Sequence, residues 1–309
     1  MRILSLGAGA IGGYFGGRLV QSGADVTFLV RPHRKDRLLN EGLRIESIYG
    51  DATVPVKACT KEEISHQSDL ILLTCKAYDL PAAIDTIRPA VGPDTAVLPL
   101  LNGLAHIDVL NREFGKERVL GGLAKIAVTV TPEGVIKHLN DWRYVTFGEQ
   151  AGDMSERVLA LKSAFERSGV IPSAVPDIMQ KMWEKLVHLT TIAGMTCIMR
   201  ASVGEIARTE HGIELLNRFL DSNAEIAKRE GFAPPAAFLS EYRALCSDKT
   251  SPYTASMLRD IERKGPVEAD HILGFMLQKA QTHGLDDTLH KMAFVHLKSY
   301  EERRAAGRV

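Results

Sequence analysis

The sequence predicts an α/β protein in which a domain built on a parallel β-sheet precedes an all-α domain. Two observations lead to this fold class. Short β-branched or leucine-rich runs alternate with helical patterns in the first half of the chain, and no convincing strand follows residue 176. Alternating strands and helices form parallel sheets with right-handed crossovers. We therefore expect a sheet domain over residues 1–172 and a helical domain over residues 173–309.

The elements of the first half follow from hydrophobic patterns and turn signals. Buried strands are predicted at Arg2–Leu6, Asp25–Val30, Asp69–Thr74 and Thr95–Leu100, with helices at Ile11–Ser22, Leu80–Arg88 and Ala105–Phe114. From Leu123 to Phe147, alternation around the turn Thr131-Pro132-Glu133-Gly134 predicts antiparallel strands at the sheet edge. A helix over Ser155–Ser168, stopped by Gly169, closes the domain. The proline-containing segment from Ile171 to Pro176 is interpreted as the linker.

The second half shows only helical periodicity. Helices are predicted at Asp177–Met199, Glu210–Glu230, Ala236–Leu245, Val267–His283 and Asp287–Arg304. Apolar residues in the second of these form one stripe along a helix face, at Ile213, Leu216, Leu220 and Ala227.

Composition and charge limit the classes of function. Of 309 residues, 45% are apolar, and 38 Lys and Arg balance 38 Asp and Glu. The balance gives no positive field that would favour nucleic acid or an anionic membrane, so a small-molecule partner is expected. Six glycines interrupt the apolar first twenty residues, which argues against a signal peptide or membrane span. The four cysteines show neither disulfide nor zinc spacing, no metal site is expected, and a reducing cytoplasm fits.

A glycine-rich turn opens the chain. The first predicted strand runs directly into Gly7-Ala8-Gly9-Ala10-Ile11-Gly12, which has the form G-x-G-x-x-G and opens a helix. In this arrangement the first glycine permits the tight turn, the second lets the backbone approach a pyrophosphate, and the third lets helix and strand pack closely. The free N–H groups of the helix N-terminus then face the phosphates. The sequence thus predicts a Rossmann-type dinucleotide site, a flexible loop being the alternative.

The end of the second strand predicts which dinucleotide is bound. NAD enzymes place an acid there for the ribose 2′-hydroxyl. This chain instead has Val30-Arg31-Pro32-His33-Arg34-Lys35, with no acid before Asp36. The guanidinium of Arg31 can bind a 2′-phosphate, and Arg34 or Lys35 can add charge. NADP(H) is therefore favoured over NAD(H), the alternative being a solvated basic loop.

Further polar residues follow predicted strands or lie on predicted helices. Lys76 and Asn102 each follow a strand, at the sheet edge where α/β proteins bind ligands, although either could be an ordinary strand-end residue. In the second half, Lys185 lies in Trp183-Glu184-Lys185-Leu186, Ser256 precedes Met257, and Glu268 precedes Asp270. Taken alone, Lys185 is interpreted as a surface lysine, Ser256 as the start of a helix, and Glu268 and Asp270 as solvated acids.

Together with the glycine turn, Arg31, Lys76 and Asn102, these stretches resemble the ketopantoate reductase (2-dehydropantoate 2-reductase) family over nearly the whole chain. The resemblance implies an active site in a cleft between the two domains and NADPH-dependent reduction of ketopantoate to pantoate, a step of pantothenate biosynthesis. It implies that Lys185 is the catalytic general acid, that Glu268 orients or tunes it, and that Asn102 and Ser256 bind substrate. It also places Lys76 near the nicotinamide ribose, with Asn102 and Glu268 bordering the cofactor.

The chain departs from the family pattern where that pattern has asparagines that help to hold substrate. Leu189 and Ala193 stand four and eight residues after Lys185, and Val203 stands at a third such position. Leu189 and Ala193 would line the substrate pocket, so the expected substrate is a 2-oxo acid whose identity stays open. His188 and Thr196 lie near the same helix face and are candidates to replace the lost amides, a packed core histidine being the alternative for His188.

Two other functions remain open at this point. One is a related NAD(P)-dependent hydroxy-acid or polyol-phosphate dehydrogenase, against which Ser256 and Glu268 argue. The other is a non-catalytic NADPH-binding sensor, which would have no need of both Lys185 and Glu268. The oligomeric state is open as well, a homodimer being among the options.

Overall fold

The computed structural model describes all 309 residues, which form two compact units. The first consists of Met1–Leu101 and His106–Ile178. The second consists of Asn102–Ala105 and Met179–Val309, so the short segment after residue 101 belongs with the helical part of the chain. The boundary therefore falls at residue 178, where the sequence had suggested 172.

Twelve strands lie in the first unit. In chain order they are β1 Arg2–Leu6, β2 Asp25–Leu29, β3 Leu43–Glu46, β4 Ala52–Val54, β5 Lys57–Cys59, β6 Leu70–Leu73, β7 Ala96–Pro99, β8 Leu120–Lys125, β9 Val128–Val130, β10 Ile136–His138, β11 Tyr144–Glu149 and β12 Ile171–Ala174. Five of them form one parallel sheet in the order β5-β2-β1-β6-β7. The strand order reverses between β1 and β6, which is the point where open α/β sheets bind ligands at their carboxyl ends.

Twelve α-helices complete the fold. They are α1 Ala10–Gln21, α2 Pro32–Glu41, α3 Leu80–Ile87, α4 Ala105–Phe114, α5 Glu156–Arg167, α6 Ile178–Met199, α7 Val203–Ala207, α8 Gly212–Arg229, α9 Ala236–Ser247, α10 Ser256–Glu262, α11 Phe275–Thr282 and α12 Thr288–Ala305. The predicted α/β class, with a parallel-sheet domain and then an all-α domain, is confirmed. None of the helices combines the length and apolar character needed to cross a membrane.

The strands beyond β7 differ from the prediction. They form two small sheets, β4-β3-β10-β9 and β12-β11-β8, in place of a simple antiparallel edge. The antiparallel pairs β8/β11 and β9/β10 are present, but β10 also pairs in parallel with β3 and β11 with β12. The interpretation of Ile171–Ala174 as linker is wrong because these residues are β12. Pro172 is compatible with this strand because it lies at a sheet edge, where a missing N–H donor is tolerated.

Close packing of α1 on the sheet holds the start of the chain in place. Phe15 on α1 and Phe28 on β2 are fully buried, and Phe15 contacts the Phe165 ring of α5 edge-on at 6.0 Å between ring centroids. A Cβ on Gly16 would lie 2.8 Å from the Phe28 ring, so only glycine allows α1 to lie this near β2. The helix that follows the glycine turn is thus fixed against β2 and α5.

Long helices bury one face each in the second unit. The stripe predicted on α8 is buried at Leu216, Leu220 and Ala227. Polar groups between helices are paired: the fully buried Asn223 donates to Thr191 Oγ1 at 3.1 Å, and its Oδ1 lies 3.0 Å from His290 Nε2. The predicted helix Val267–His283 differs at its start, where a π-helical turn over Asp270–Gly274 precedes α11.

Candidate active site

Each of the three glycines of the G-x-G-x-x-G turn is required for a different structural reason. Gly7 has φ +86°, a conformation that L side chains rarely adopt. Gly9 precedes the first residue of α1, its missing Cβ would meet no atom within 4 Å, and no side chain caps this helix end. A Cβ on Gly12 would overlap with the Thr74 hydroxyl and lie 2.7 Å from the Gly7 carbonyl oxygen. The turn therefore offers an open backbone surface at a helix N-terminus, which is where a pyrophosphate binds in this kind of fold.

The basic segment after β2 is the start of α2 and not a loop. Arg31 is the N-cap residue of α2 and is exposed; its carbonyl accepts from the N–H groups of Arg34 and Lys35, but its guanidinium makes no hydrogen bond or ion pair. Arg34 donates to the Gly134 carbonyl at 3.0 Å, and Lys35 forms an ion pair with Glu63. Of the three cations suggested for a 2′-phosphate, only Arg31 is thus left without a partner in the protein.

Strand ends place Lys76 and Asn102 as the sequence predicted. Lys76 is exposed and follows β6 by three residues. Asn102 follows β7 by three residues and belongs to the second unit. Parallel strands have their carboxyl ends at one sheet edge, so Lys76 extends from the edge that carries the glycine turn.

In the second unit, Asn102 and Lys185 are in contact. Lys185 lies on α6, and its Nζ donates to Asn102 Oδ1 at 3.3 Å. Burial lowers the pKa of the Lys185 ammonium from its ordinary 10.5 to about 8, and the carboxylate of Glu268 opposes that shift. Glu268 is itself only 7% exposed. These residues, 83 and 166 positions apart in sequence from Asn102, therefore form one charged and amide cluster.

The backbone explains how this cluster is assembled. Gly103 has φ +85°, and a Cβ there would lie 2.6 Å from the His271 carbonyl oxygen. The segment carrying Asn102 thus packs against the π-helical turn that begins two residues after Glu268. Single π-helical turns occur frequently at functional sites. Neither the π-helical turn nor the role of His271 was foreseen, since no sequence signal marks this turn. The Asn-Gly dipeptide was the one available hint of the close contact.

Ser256 is the first residue of α10 and is partly buried. The preceding Ala255 donates its N–H to Thr196 Oγ1 at 3.4 Å, which connects the start of α10 to α6. Thr196 also donates to the Ile192 carbonyl at 2.7 Å. Its hydroxyl is fully buried and serves the helix contact, so Thr196 is a structural residue and does not replace a lost amide.

His188 packs between two tyrosines. Its ring stacks on Tyr242 at 4.3 Å and on Tyr253 at 5.7 Å between centroids. Burial raises the pKa of Tyr242 well above its ordinary value, so this phenol stays neutral. The arrangement agrees with the interpretation of His188 as a packed histidine.

The positions that depart from the family pattern are apolar in structure as well as in sequence. Ala193 and Val203 are fully buried, whereas Leu189, one turn beyond Lys185 on α6, is partly exposed. Residues four apart on a helix lie on the same face. Leu189 is thus the one of the three that lies beside Lys185 and has an accessible side chain.

Comparison with known proteins identifies a family for this chain. Residues 3–152 match the family model of Ketopantoate reductase PanE/ApbA, and residues 177–301 match that of Ketopantoate reductase PanE/ApbA C terminal. An uncharacterized oxidoreductase, YkpB, of Bacillus subtilis is 33% identical over 307 residues, which cover 98% of this chain and 100% of that protein. The crystal structure of 2-dehydropantoate 2-reductase from Methylococcus capsulatus is similar, with a TM-score of 0.89, 27% identity and coverage of 99% of this chain and 98% of that one.

A more distant structure shares the fold. D-mandelate dehydrogenase, solved with NADH and anilino(oxo)acetate, superimposes with a TM-score of 0.86 over 99% of both chains at 22% identity. The two family models together cover most of the sequence and both of its units. The chain is therefore an oxidoreductase that belongs to the ketopantoate reductase family.

Proposed function

We propose that this protein reduces a 2-oxo acid to a 2-hydroxy acid with NADPH as the hydride donor. The observation that carries the proposal is the cluster of Lys185, Asn102 and Glu268, in which a partly buried ammonium is held by an amide oxygen near a buried carboxylate. Reduction of a ketone leaves negative charge on oxygen, which needs a cation and a proton donor. Lys185 can supply both.

The residues of the first unit fit a dinucleotide. The open surface above Gly9 and the uncapped N-terminus of α1 suit a pyrophosphate, and the unpartnered guanidinium of Arg31 suits a 2′-phosphate. When bound, NADPH supplies the hydride that is added to the carbonyl carbon. NADPH is preferred over NADH because β2 is followed by Val30 and Arg31, with no acid there to accept a hydrogen bond from a ribose 2′-hydroxyl.

Each of the candidate site residues has a role in this proposal. Lys185 Nζ donates a hydrogen bond to the carbonyl oxygen and passes it a proton as the alkoxide develops. Asn102 Oδ1 accepts from the same Nζ and fixes its direction. The Glu268 carboxylate favours the charged form of Lys185 and so offsets the effect of burial. Ser256 is proposed to bind the substrate, and Lys76 to bind the nicotinamide ribose.

The substrate tail is proposed to be apolar. Ketopantoate carries a hydroxymethyl group, and the wall beside Lys185 presents Leu189 where family members have an amide. A polar group left unpaired in such a pocket costs about 1–3 kcal/mol. His188 and Thr196 do not restore the lost amides, because the first is stacked between tyrosines and the second is engaged within α6.

A panel of 2-oxo acids tests the proposed function. NADPH oxidation would be followed with ketopantoate and with 2-oxo acids that carry branched aliphatic or aromatic tails, and the 2-hydroxy acid product would be identified by mass spectrometry. At least one apolar 2-oxo acid should reach a kcat/KM of about 10⁴ M⁻¹s⁻¹ or more, and this value should exceed the kcat/KM for ketopantoate. Efficient turnover of ketopantoate would contradict the proposed tail preference. No turnover of any 2-oxo acid, with NADPH binding intact, would support the non-catalytic sensor instead.

A further inference from the structure

A cavity rich in arginine lies in the first unit. Its volume is about 240 Å³, and nine residues line it, among them Tyr14, Arg18, Tyr49, Arg143 and Arg167. Three of these nine residues are arginines and none is acidic. The cavity is formed where the last turn of α1 and the end of α5 meet the segments around Tyr49 and Arg143. The glycine turn instead leads into the first turn of α1, so the two sites lie at opposite ends of this helix.

Arg18 is the most deeply buried of the three cations. It is 6% exposed, and its guanidinium donates to Gln21 Oε1 and to the Gly50 carbonyl, both at 2.8 Å. The Tyr14 ring centroid lies 5.4 Å from its Cζ. All of these partners are neutral, although a buried charge is normally paired with an opposite one because removing it from water is costly.

The other two arginines also lack a carboxylate partner. The Arg143 guanidinium stacks over the Tyr49 ring at 3.7 Å, and its Nε is buried without a hydrogen-bond partner. Arg167 is exposed and donates only to Ser163 Oγ, at 2.8 Å. Many other arginines of the chain do form ion pairs, for example Arg157 with Glu149.

Helix dipoles do not stabilise all three arginine charges. Arg18 and Arg167 lie in the last turns of α1 and α5, where a cation gains about 0.3–1 kcal/mol. Arg143 lies on neither helix and has no such stabilisation. The positive charge also acts on His138, whose pKa is lowered by burial first and by Arg18 and Arg143 in addition.

We propose that this cavity binds the phosphoryl group of a small molecule, at a site separate from that of the dinucleotide. A phosphate dianion would give three convergent guanidiniums the counter-charge that the chain does not supply, and the guanidinium fork matches phosphate oxygens. The volume is below the range of about 300–1,000 Å³ that is typical of drug-sized ligand pockets. The ligand is therefore inorganic phosphate or a compact phosphate ester.

Calorimetric titration with inorganic phosphate and with glycerol 3-phosphate, at constant ionic strength, tests this site. Phosphate also has access to Arg31, so the titrations are made in Arg31→Ala as well as in the wild type. Both proteins should bind a probe with a Kd of about 1 mM or tighter. Tighter binding of the ester would identify an esterified ligand, and tighter binding of free phosphate would identify the inorganic ion.

Variants of the cavity separate this site from general anion binding. Arg143→Gln and Arg167→Gln should each raise the Kd of the probe at least about tenfold, because each removes charge-assisted hydrogen bonds. Arg167 is exposed, so its variant should fold even if Arg143→Gln is less stable. Arg112→Gln, which changes an exposed arginine of α4, is the matched control and should bind as the wild type does. No binding, unchanged binding in both cavity variants, or equal binding of acetate would overturn the proposal.

Discussion

Lys185 is held between two opposing electrostatic effects. Burial favours the neutral amine and lowers its pKa to about 8, while the Glu268 carboxylate favours the ammonium. At neutral pH the ammonium form still predominates, and its proton is easier to transfer than that of an exposed lysine. General acids work best when their pKa lies near the working pH. The environment of Lys185 thus suits proton donation better than simple charge stabilisation.

Arg31→Ala tests cofactor choice. A charge-assisted hydrogen bond is worth about 1.5–3 kcal/mol, so the Kd of NADPH should rise about ten- to a hundredfold while that of NADH changes little. Fluorescence titration with both nucleotides measures this. Arg44→Ala, which removes another exposed arginine of the same unit, is the control. An equal rise in the Kd of NADPH and of NADH would show that Arg31 does not bind the 2′-phosphate.

Leu189→Asn tests the apolar wall of the substrate pocket. It restores an amide one turn beyond Lys185 and should raise kcat/KM for ketopantoate relative to an apolar 2-oxo acid by about tenfold or more, since it pairs a polar group. Adding Ala193→Asn should mainly lower stability, because residue 193 is fully buried. Leu215→Asn on α8, also a partly buried leucine, is the control. Unchanged selectivity in Leu189→Asn would show that this face of α6 does not contact the substrate tail.

At the scale of elements, the segment Asn102–Ala105 determines the geometry of the site. It follows β7 in sequence, yet it packs with the helical unit through Gly103 and the His271 carbonyl. The direction of Lys185 Nζ therefore depends on a backbone contact between two short segments. The identities of Lys185, Asn102 and Glu268 do not predict this contact.

Gly103→Ala should disturb this contact. An alanine at φ +85° costs about 1–2 kcal/mol, and its Cβ would also clash with the His271 carbonyl. The melting temperature should fall, and kcat should fall about tenfold or more because Asn102 moves away from Lys185. Gly231→Ala is a matched control, since Gly231 has φ +91° in the same unit but open space around it. If both variants lose stability equally and keep full kcat, the contact does not position the site.

Strong periodic elements were predictable, and weak or irregular ones were not. The predicted strands correspond to β1, β2, β6 and β7 to within two residues, and most long helices were placed equally well, because burial makes their patterns continuous. The exception is the helix predicted at Val267–His283, because a π-helical turn precedes α11 there. The missed α2 is mostly polar, and β12 contains a proline, so neither shows a clear pattern. The contact of Lys185 with Asn102 spans 83 residues, and only the fold brings the two together.

At the scale of the whole molecule, the proposed reaction needs both units. The glycine turn and Arg31 belong to the first, and the cluster of Lys185, Asn102 and Glu268 belongs to the second. The two family models match residues of both units, so the ketopantoate reductase family applies to the whole of this chain. The central claim is that Lys185 donates the proton for ketone reduction.

The dependence of kcat/KM for the 2-oxo acid on pH, measured from about pH 6 to about pH 10 with saturating NADPH, tests that claim most directly. Wild-type kcat/KM should fall as the pH rises through about 8, because the pKa of Lys185 without substrate lies there and only its ammonium form can act as the acid. Lys185→Ala should be slower by roughly 10²–10⁴ at neutral pH, without that fall and with NADPH binding intact. Lys228→Ala, on an exposed lysine of α8, should keep the wild-type profile. A Lys185→Ala enzyme with near-full kcat and an unchanged profile would contradict the account.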